Sequence, residues 1–220
     1  NFRAWSPAFS VDTYVTSVSV HRAEEDKYGR LSMWRAYGGN AGVALVLNGG
    51  VMFRESKALA AYSSPVAYME EDEIGKEILS VAQQIAKNVE YVRGLGEDGL
   101  KKTVFHMLRF AAICTKHPSF KEEEEWRVVA SPVVESSDLL KSEIELINGI
   151  PQKVLKIKLE DHPDKGLEGL TPSVFLDRIL IGPCEHPKVI WQSLVRLMDE
   201  AGIEEPHKKL FITGIPLRQN

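Results

Sequence analysis

Cysteine is scarce in this sequence, and the two cysteines do not form a metal-binding or redox pattern. Cys114 lies in an apolar run that has helical periodicity, and Cys184 lies in a Gly-Pro-Cys turn. Two distant thiols with no C-x-x-C spacing are typical of reduced, cytosolic proteins. We therefore expect a cytoplasmic protein whose fold does not depend on disulfides.

Long apolar runs and a secretory leader are also missing. No segment approaches the roughly 18 apolar residues that a membrane-spanning helix needs, and no basic and apolar leader opens the chain. We expect no membrane partner. The chain begins at Asn1 without a methionine, in a polar stretch, and we expect the native protein to extend further toward the N-terminus.

The short signatures of several enzyme classes are absent. The sequence has no G-x-S-x-G, no G-x-x-x-x-G-K-[ST] and no G-x-G-x-x-G, so it lacks the marks of serine hydrolases, P-loop NTPases and Rossmann enzymes. Its six histidines show no H-E-x-x-H block and no i, i+4 pairing, which disfavours a dedicated zinc site. The formal charge of −4 argues against a generally basic surface for nucleic acid.

What is present favours a single α+β domain over residues 1–220, with a mixed or antiparallel central sheet. The length of 220 residues and the 44% hydrophobic content suffice for a self-sufficient core. Strands are predicted at 11–20, 42–48, 63–69, 123–131, 153–160, and in the segments DRILIGP and KLFITG. Short helices are predicted at 30–37 and after Thr171-Pro172, and a longer one through Ile190, Leu194, Leu197 and Ala201. Asn148-Gly149 predicts a hairpin turn within the loop that separates two of the strands.

A helical pair is predicted as an insertion at residues 71–115. Apolar residues recur there at spacings of three and four, namely Ile74, Ile78, Val81, Ile85, Val89 and Val92. After a glycine-rich break at 94–99, Leu100, Val104, Leu108 and Ala111 repeat the pattern, and Pro118 is expected to end the second helix. We expect the two helices to run antiparallel.

The first block that could carry chemistry is S-M-W-R-A-Y-G at 32–38. It places Trp34, Arg35 and Tyr37 within four positions, and glycines follow. A guanidinium pairs with phosphate or carboxylate, and aromatic rings stack on planar groups, so the block is consistent with a planar or anionic ligand. The alternative is that Trp34 and Tyr37 anchor a core helix while Arg35 pairs with an acidic neighbour.

The second block is F-K-E-E-E-E-W-R-V at 120–128. If the strand begins near Glu123, its period of two places Glu123, Glu125 and Arg127 on one face. Paired carboxylates can stabilise a developing cation, polarise a hydroxyl or bind a hard metal. The alternative is a solvated run of charge that protects a strand edge.

The two blocks, taken with their neighbours, resemble a known family. The matching segments are the strand ending at Ser19, 33–38 with 42–45, His117-Pro118 with E-x-E-W-R, I-L-I-G-P at 179–183 and I-P-x-R at 215–218. This set is similar to a widespread bacterial family catalogued as a domain of unknown function and found often in mobile and phage-defence gene neighbourhoods. The resemblance spans about residues 12–218. Members usually begin with a further N-terminal segment, which we expect to be missing here.

The order of elements is also similar to that of ADP-ribosyltransferases of the toxin and defence kind. This resemblance implies an effector that uses NAD as substrate to modify a nucleic acid or protein target, with an antitoxin or another defence protein as a partner. Its catalytic residues would be Glu125, which stabilises positive charge on the ribose, and Glu123, which orients the acceptor. The residues implied in NAD binding are Arg35, Trp34, Tyr37, Ser19 and Arg127.

Two other functions stay open at this point. One is a metal-dependent nuclease that uses Glu123, Glu125 and a nearby lysine such as Lys116. The other is a sensor or adaptor that binds a nucleotide or a phage protein through Arg35 and Trp34 without turnover.

Overall fold

The computed structural model describes residues 11–52 and 57–216, and it confirms an α+β fold. The strands are β1 (Tyr14–Ser19), β2 (Val43–Leu47), β3 (Ala61–Pro65), β4 (Ala67–Tyr68), β5 (Thr115–Lys116), β6 (Glu125–Ala130), β7 (Leu140–Ile147), β8 (Ile150–Ile157), β9 (Leu176–Ile181) and β10 (Leu210–Ile212). The α-helices are α1 (Leu31–Tyr37), α2 (Gly49–Met52), α3 (Glu71–Lys87), α4 (Val89–Gly94), α5 (Gly96–Ile113), α6 (Pro172–Phe175) and α7 (Pro187–Glu200). Short 3₁₀ helices lie at Ala23–Glu25, Pro118–Glu123, Pro163–Lys165 and Pro206–Lys208.

The strands of the described residues are distributed over several small sheets rather than one central sheet. Two sheets have three strands each, in the orders β1-β6-β3 and β10-β9-β2, and the pairs β4-β5 and β7-β8 form two more. Strand β9 runs parallel to β10 and antiparallel to β2, so this sheet is mixed. The predicted mixed or antiparallel pairing therefore holds.

The β7–β8 hairpin closes on the predicted turn. Asn148 and Gly149 both have left-handed backbone angles, with φ of 51° and 78°, as the two central residues of a tight hairpin turn require. The strands pair from Leu140 with Ile157 to Ile147 with Ile150. Strand β7 lies where a loop was expected, and its side chains are mostly exposed.

The predicted helical pair begins at Glu71 as expected and is present as three helices, but its internal break and its end differ from expectation. The first helix is interrupted at Asn88, where the side-chain amide donates to the carbonyl of Gln84 at 2.8 Å. Such local bonds compete with the helical pattern. The last helix ends at Ile113, ahead of Pro118, because Thr115 and Lys116 form β5 and pair with β4.

The chain divides into two compact units. The first comprises the described residues of Asn1–Thr16, His21–Ser63 and Val129–Asn220, and the second comprises Ser17–Val20 and Ser64–Val128. In the first unit, one apolar cluster joins β9 to α7 and β10 through Ile179, Met198, Ile203 and Leu210. A second cluster contains Val51, Leu167 and Leu170.

The interior of the second unit is unusually polar. Its buried residues are Val66, Arg109, Cys114 and Glu125. Charged side chains are seldom buried unless they are paired. The surroundings of Glu125 are therefore the first place to look for function in this unit.

Candidate functional site

Four charged side chains meet in the second unit. Lys116 comes from β5, Glu123 ends a 3₁₀ helix, and Glu125 and Arg127 belong to β6. The strand begins at Glu125 rather than at Glu123, because Glu124 takes a left-handed conformation, with φ of 45° and ψ of 51°. Glu123 still joins Glu125, but it does so through a shared contact with Lys116 and not through the strand period.

The contacts within this charged cluster are short and specific. The Nε of Arg127 donates to Oε1 of Glu125 at 2.9 Å, and its Nη2 donates to Oε2 at 3.3 Å. The Nζ of Lys116 donates to Glu123 at 2.6 Å and to Oε2 of Glu125 at 3.3 Å. The two cations therefore balance the two carboxylates.

Backbone and hydroxyl groups fix Glu125 from its other sides. Its N–H donates to the hydroxyl of Tyr68 at 2.8 Å, and its carbonyl accepts from the N–H of Val66 at 2.9 Å. Ser17 also helps to lower the pKa of the Glu125 carboxyl. The remaining guanidinium donor of Arg127, Nη1, binds the carbonyl of Ile113. The carboxylate is thus held rigidly and is only 6% exposed.

These partners decide the protonation state of Glu125. Burial alone would raise the pKa of this carboxyl, but the hydrogen bonds from Arg127, Ser17 and Lys116 outweigh it and lower the pKa to about 2. Burial would lower the pKa of Lys116, and its bonds to Glu123 and Glu125 raise it instead. Glu125 therefore acts as a fixed anion at neutral pH and is a poor general acid or base.

Two further side chains border the charged cluster. The Nζ of Lys116 lies 4.6 Å from the ring centre of Phe120, a cation–π distance that helps to position the ammonium group. His117 follows Lys116, and its Nε2 lies 3.4 Å from the carboxylate of Glu70. Its side chain is more than half exposed, so it contacts solvent as well as the start of α3.

In the first unit, the structure places Trp34 in the interior. Its indole N–H donates to the carbonyl of Tyr28 at 2.7 Å. A Cβ added at Gly29 or at Gly182 would lie 2.9 Å or 2.6 Å from atoms of this indole. The ring therefore packs closely against two glycine backbones, which is the arrangement expected of a residue that anchors α1 to the core.

Three of the residues implied in NAD binding lie at the surface. Arg35 and Ser19 are exposed, and Tyr37 is 64% exposed. Among the described residues, no hydrogen bond or ion pair involves the side chain of Arg35, which lies within α1. Trp34, Arg35 and Tyr37 belong to the first unit, whereas Ser19 and the charged cluster belong to the second. The role of each set in NAD binding stays a prediction.

Sequence reasoning missed two neutral residues beside the charged cluster, Ser17 and Tyr68. Ser17, not Ser19, is the serine that lowers the pKa of the Glu125 carboxyl, and the strand period offered a signal because the two serines are two positions apart on one face. Tyr68 had no such signal, since it lies 57 positions before Glu125 in the chain. The sequence indicated a role for Lys116 only in the alternative of a metal-dependent nuclease.

The described residues contain neither a metal-ligand cluster nor a membrane-spanning helix. Within 11–52 and 57–216, no group of three or more His, Cys, Asp or Glu side chains is placed to hold a metal ion. No helix in the same ranges has the length and apolar character that crossing a bilayer demands.

The fold and the charged cluster together define an α+β protein with a buried, fully paired carboxylate. Residues 33–128 match a family described as a protein of unknown function, DUF2971. The matched range contains both the W-R-A-Y-G and the E-x-E-W-R blocks, and the match supports the expected resemblance to a domain of unknown function. No curated protein and no solved structure matches the chain.

Proposed function

We propose that this chain is an ADP-ribosyltransferase-like effector of bacterial defence, in which Glu125 stabilises the positive charge that develops on the ribose of NAD. The observation that supports it is the state of Glu125, a carboxylate that is 6% exposed and whose pKa is lowered to about 2. Such a group stays anionic throughout the physiological range. Preorganised charge of this kind is the largest single contribution to many enzymatic rate enhancements.

The reaction uses this anion without moving a proton to it. The bond between ribose C1 and the nicotinamide nitrogen breaks, and its electron pair leaves with neutral nicotinamide. A hydroxyl of the nucleic acid or protein target forms the new bond to C1, and its proton passes to water. Glu125 stabilises the cationic ribose in between, and Glu123 orients the acceptor.

The contacts of Glu125 indicate which oxygen would face the ribose. Oε1 is held by Arg127 at 2.9 Å, whereas the two cation contacts of Oε2 are longer, at 3.3 Å each. Lys116 binds Glu123 more closely, at 2.6 Å. Lys116 can therefore release Oε2 while keeping Glu123, and a ribose hydroxyl would take its place.

In the first unit, Arg35 and Tyr37 are the residues proposed to bind NAD. Arg35 is exposed and has the guanidinium geometry that binds a pyrophosphate, and the exposed ring of Tyr37 offers a stacking surface. Arg35→Gln is expected to weaken NAD binding about tenfold or more, as loss of a charge-assisted hydrogen bond does. This is measured by calorimetric titration of NAD into the protein.

The catalytic proposal is tested by incubating the purified chain with NAD and a bacterial lysate, and by measuring nicotinamide release and the mass gained by lysate proteins and nucleic acids. Glu125→Gln should lower the rate by about 100-fold or more, because it removes the stabilising charge. Glu122→Gln is the matched control, since Glu122 is an exposed neighbour in the same acidic run. Far-UV circular dichroism checks that both variants are folded. Unchanged NAD in all samples, or equal rates for both variants, contradicts the proposal.

A second candidate function is nucleotide sensing without turnover. It is favoured by the complete pairing of Glu125 with Arg127, Lys116 and Ser17, which already balances its charge. Under this alternative, NAD or another nucleotide binds but no nicotinamide is released. Cleavage of nucleic acid that a chelator prevents, with NAD left unchanged, would instead indicate the metal-dependent nuclease.

A further inference from the structure

Helix α3 has an amphipathic sequence, yet none of its 17 residues is buried. Six apolar or small residues lie within about 120° of one another around the helix, given 100° per residue. They are Gly75, Ile78, Leu79, Ala82, Ile85 and Ala86, and all six are exposed. We name this set the α3 seam. The exposed fractions of Ile78 and Leu79 reach 59% and 64%.

The α3 seam has the repeat of a helix that packs on another helix. Gly75 and Ala82, Ile78 and Ile85, and Leu79 and Ala86 are each seven positions apart. A repeat of seven keeps one stripe facing a partner helix. Small residues let two backbones approach closely, and a Cβ added at Gly75 would meet no atom within 4 Å. The stripe is therefore open to a partner along its length.

Charge along the helices indicates what that partner is. Residues 70–79 hold Glu70, Glu71, Asp72, Glu73 and Glu77 against Lys76, five acids and one base, which gives −4. Residues 80–93 hold Lys87 and Arg93 against Glu90, two bases and one acid, which gives +1. An antiparallel copy of the same segment places each acidic end against a basic end, whereas a parallel copy opposes two acidic ends. The acidic end also disfavours an anionic membrane surface.

We propose that the α3 seams of two copies of this chain pack against each other in antiparallel orientation, across a two-fold axis. A two-fold interface uses the same patch on both copies, so a self-complementary helix suffices. In this arrangement Gly75 of each copy lies opposite Ala86 of the other, and Leu79 lies opposite Ala82. A large residue thus faces a small one near the axis. The inference does not depend on the enzymatic proposal.

The first test is the mass of the protein in solution, measured by sedimentation over a range of concentrations. The wild-type chain should dimerise, and Leu79→Glu should raise the dimer dissociation constant about 30-fold or more, as loss of a central interface residue does. Leu197→Glu is the matched control, because Leu197 is 59% exposed on α7. Ala82→Glu provides a second seam variant, and circular dichroism checks the fold of each. A monomeric wild type, or equal dissociation constants for Leu79→Glu and Leu197→Glu, overturns the inference.

The second test distinguishes the two orientations by disulfide cross-linking in a Cys184→Ser background. A mixture of Gly75→Cys and Ala86→Cys chains should form a mixed cross-linked dimer on mild oxidation. Gly75→Cys alone should not, because two-fold antiparallel packing separates the two Gly75 positions. Cross-linking of Gly75→Cys to itself indicates parallel packing and overturns the antiparallel arrangement.

Discussion

Arg127 holds the carboxylate of Glu125 with two hydrogen bonds that lie side by side, from Nε to Oε1 at 2.9 Å and from Nη2 to Oε2 at 3.3 Å. The side chains are 19% and 6% exposed, so this pair is far less screened by solvent than a surface ion pair. Few apolar residues are buried in the second unit. Because the pKa of Glu125 is lowered in the folded chain, its ionised form stabilises this unit as well as serving the candidate chemistry.

The first prediction concerns acid stability. The pKa of Glu125 is about 2 in the folded chain against an ordinary 4.5, so the ionised carboxylate contributes on the order of 3 kcal/mol to the free energy of unfolding at neutral pH. A lowered pKa means that this contribution is complete above about pH 5 and is lost as the pH falls toward 2. Urea unfolding of the wild type and of Glu125→Gln, measured from pH 7 to pH 2, should show a difference that shrinks with acidification. A difference independent of pH contradicts the assigned state of Glu125.

The second prediction concerns the paired geometry of the guanidinium. Arg127→Lys keeps the charge but loses the parallel bonds to Glu125 and the bond to Ile113, and it should lower the free energy of unfolding by about 1–3 kcal/mol. Arg127→Met should cost more, about 3–5 kcal/mol, because it leaves a buried carboxylate with less compensation. Chemical denaturation measures both variants. If lysine is as stabilising as arginine, the paired geometry is unimportant.

The third prediction concerns the packing of Trp34. Gly182→Ala would place a Cβ 2.6 Å from the indole ring, and the resulting overpacking should lower the free energy of unfolding by about 1–3 kcal/mol. Near-UV circular dichroism should also report a change around the indole. Gly94→Ala is the matched control, since a Cβ there meets no atom within 4 Å. Equal stability of the two variants would contradict the close contact.

The fourth prediction concerns the hairpin turn. Gly149 has φ of +78°, so Gly149→Ala should lower the free energy of unfolding by about 1 kcal/mol, because most side chains disfavour this region. Gly149→Asn should cost less, since asparagine tolerates left-handed angles. Thermal unfolding compares the two. A larger loss for asparagine than for alanine argues against the observed turn.

Much of the secondary structure could be predicted because it depends on local patterns. The strand at Val43–Leu47, the helix at Pro187–Glu200 and the turn at Asn148-Gly149 lie where period and turn residues indicated. Strand β7 was missed, since its exposed side chains carry no apolar alternation and only pairing with β8 defines it. The break at Asn88 was missed for a related reason, because one side-chain hydrogen bond outweighed a continuous apolar period.

The grouping of Glu123, Glu125 and Arg127 was predicted from the strand period, and the three do meet in one charged cluster. The cause of their grouping is not the strand period, since Glu123 lies outside the strand and is joined to Glu125 through Lys116. The burial of Glu125 was not predictable from the sequence. A run of four glutamates suggests a solvated surface, and nothing in their order marks Glu125 as the buried one.

The sequence by itself determined the class of fold, the helical and strand periods and the two blocks of unusual composition, because these depend on neighbours a few positions apart. Only the tertiary structure decided that Glu125 is a buried carboxylate that is ionised at neutral pH and that Trp34 is a core anchor. Both outcomes depend on groups distant in the chain. Lys116 binds the carboxylate of Glu125, Tyr68 accepts a hydrogen bond from its backbone N–H, and Gly182 packs on the indole of Trp34. The chemical state of each side chain therefore follows from contacts that no local pattern encodes.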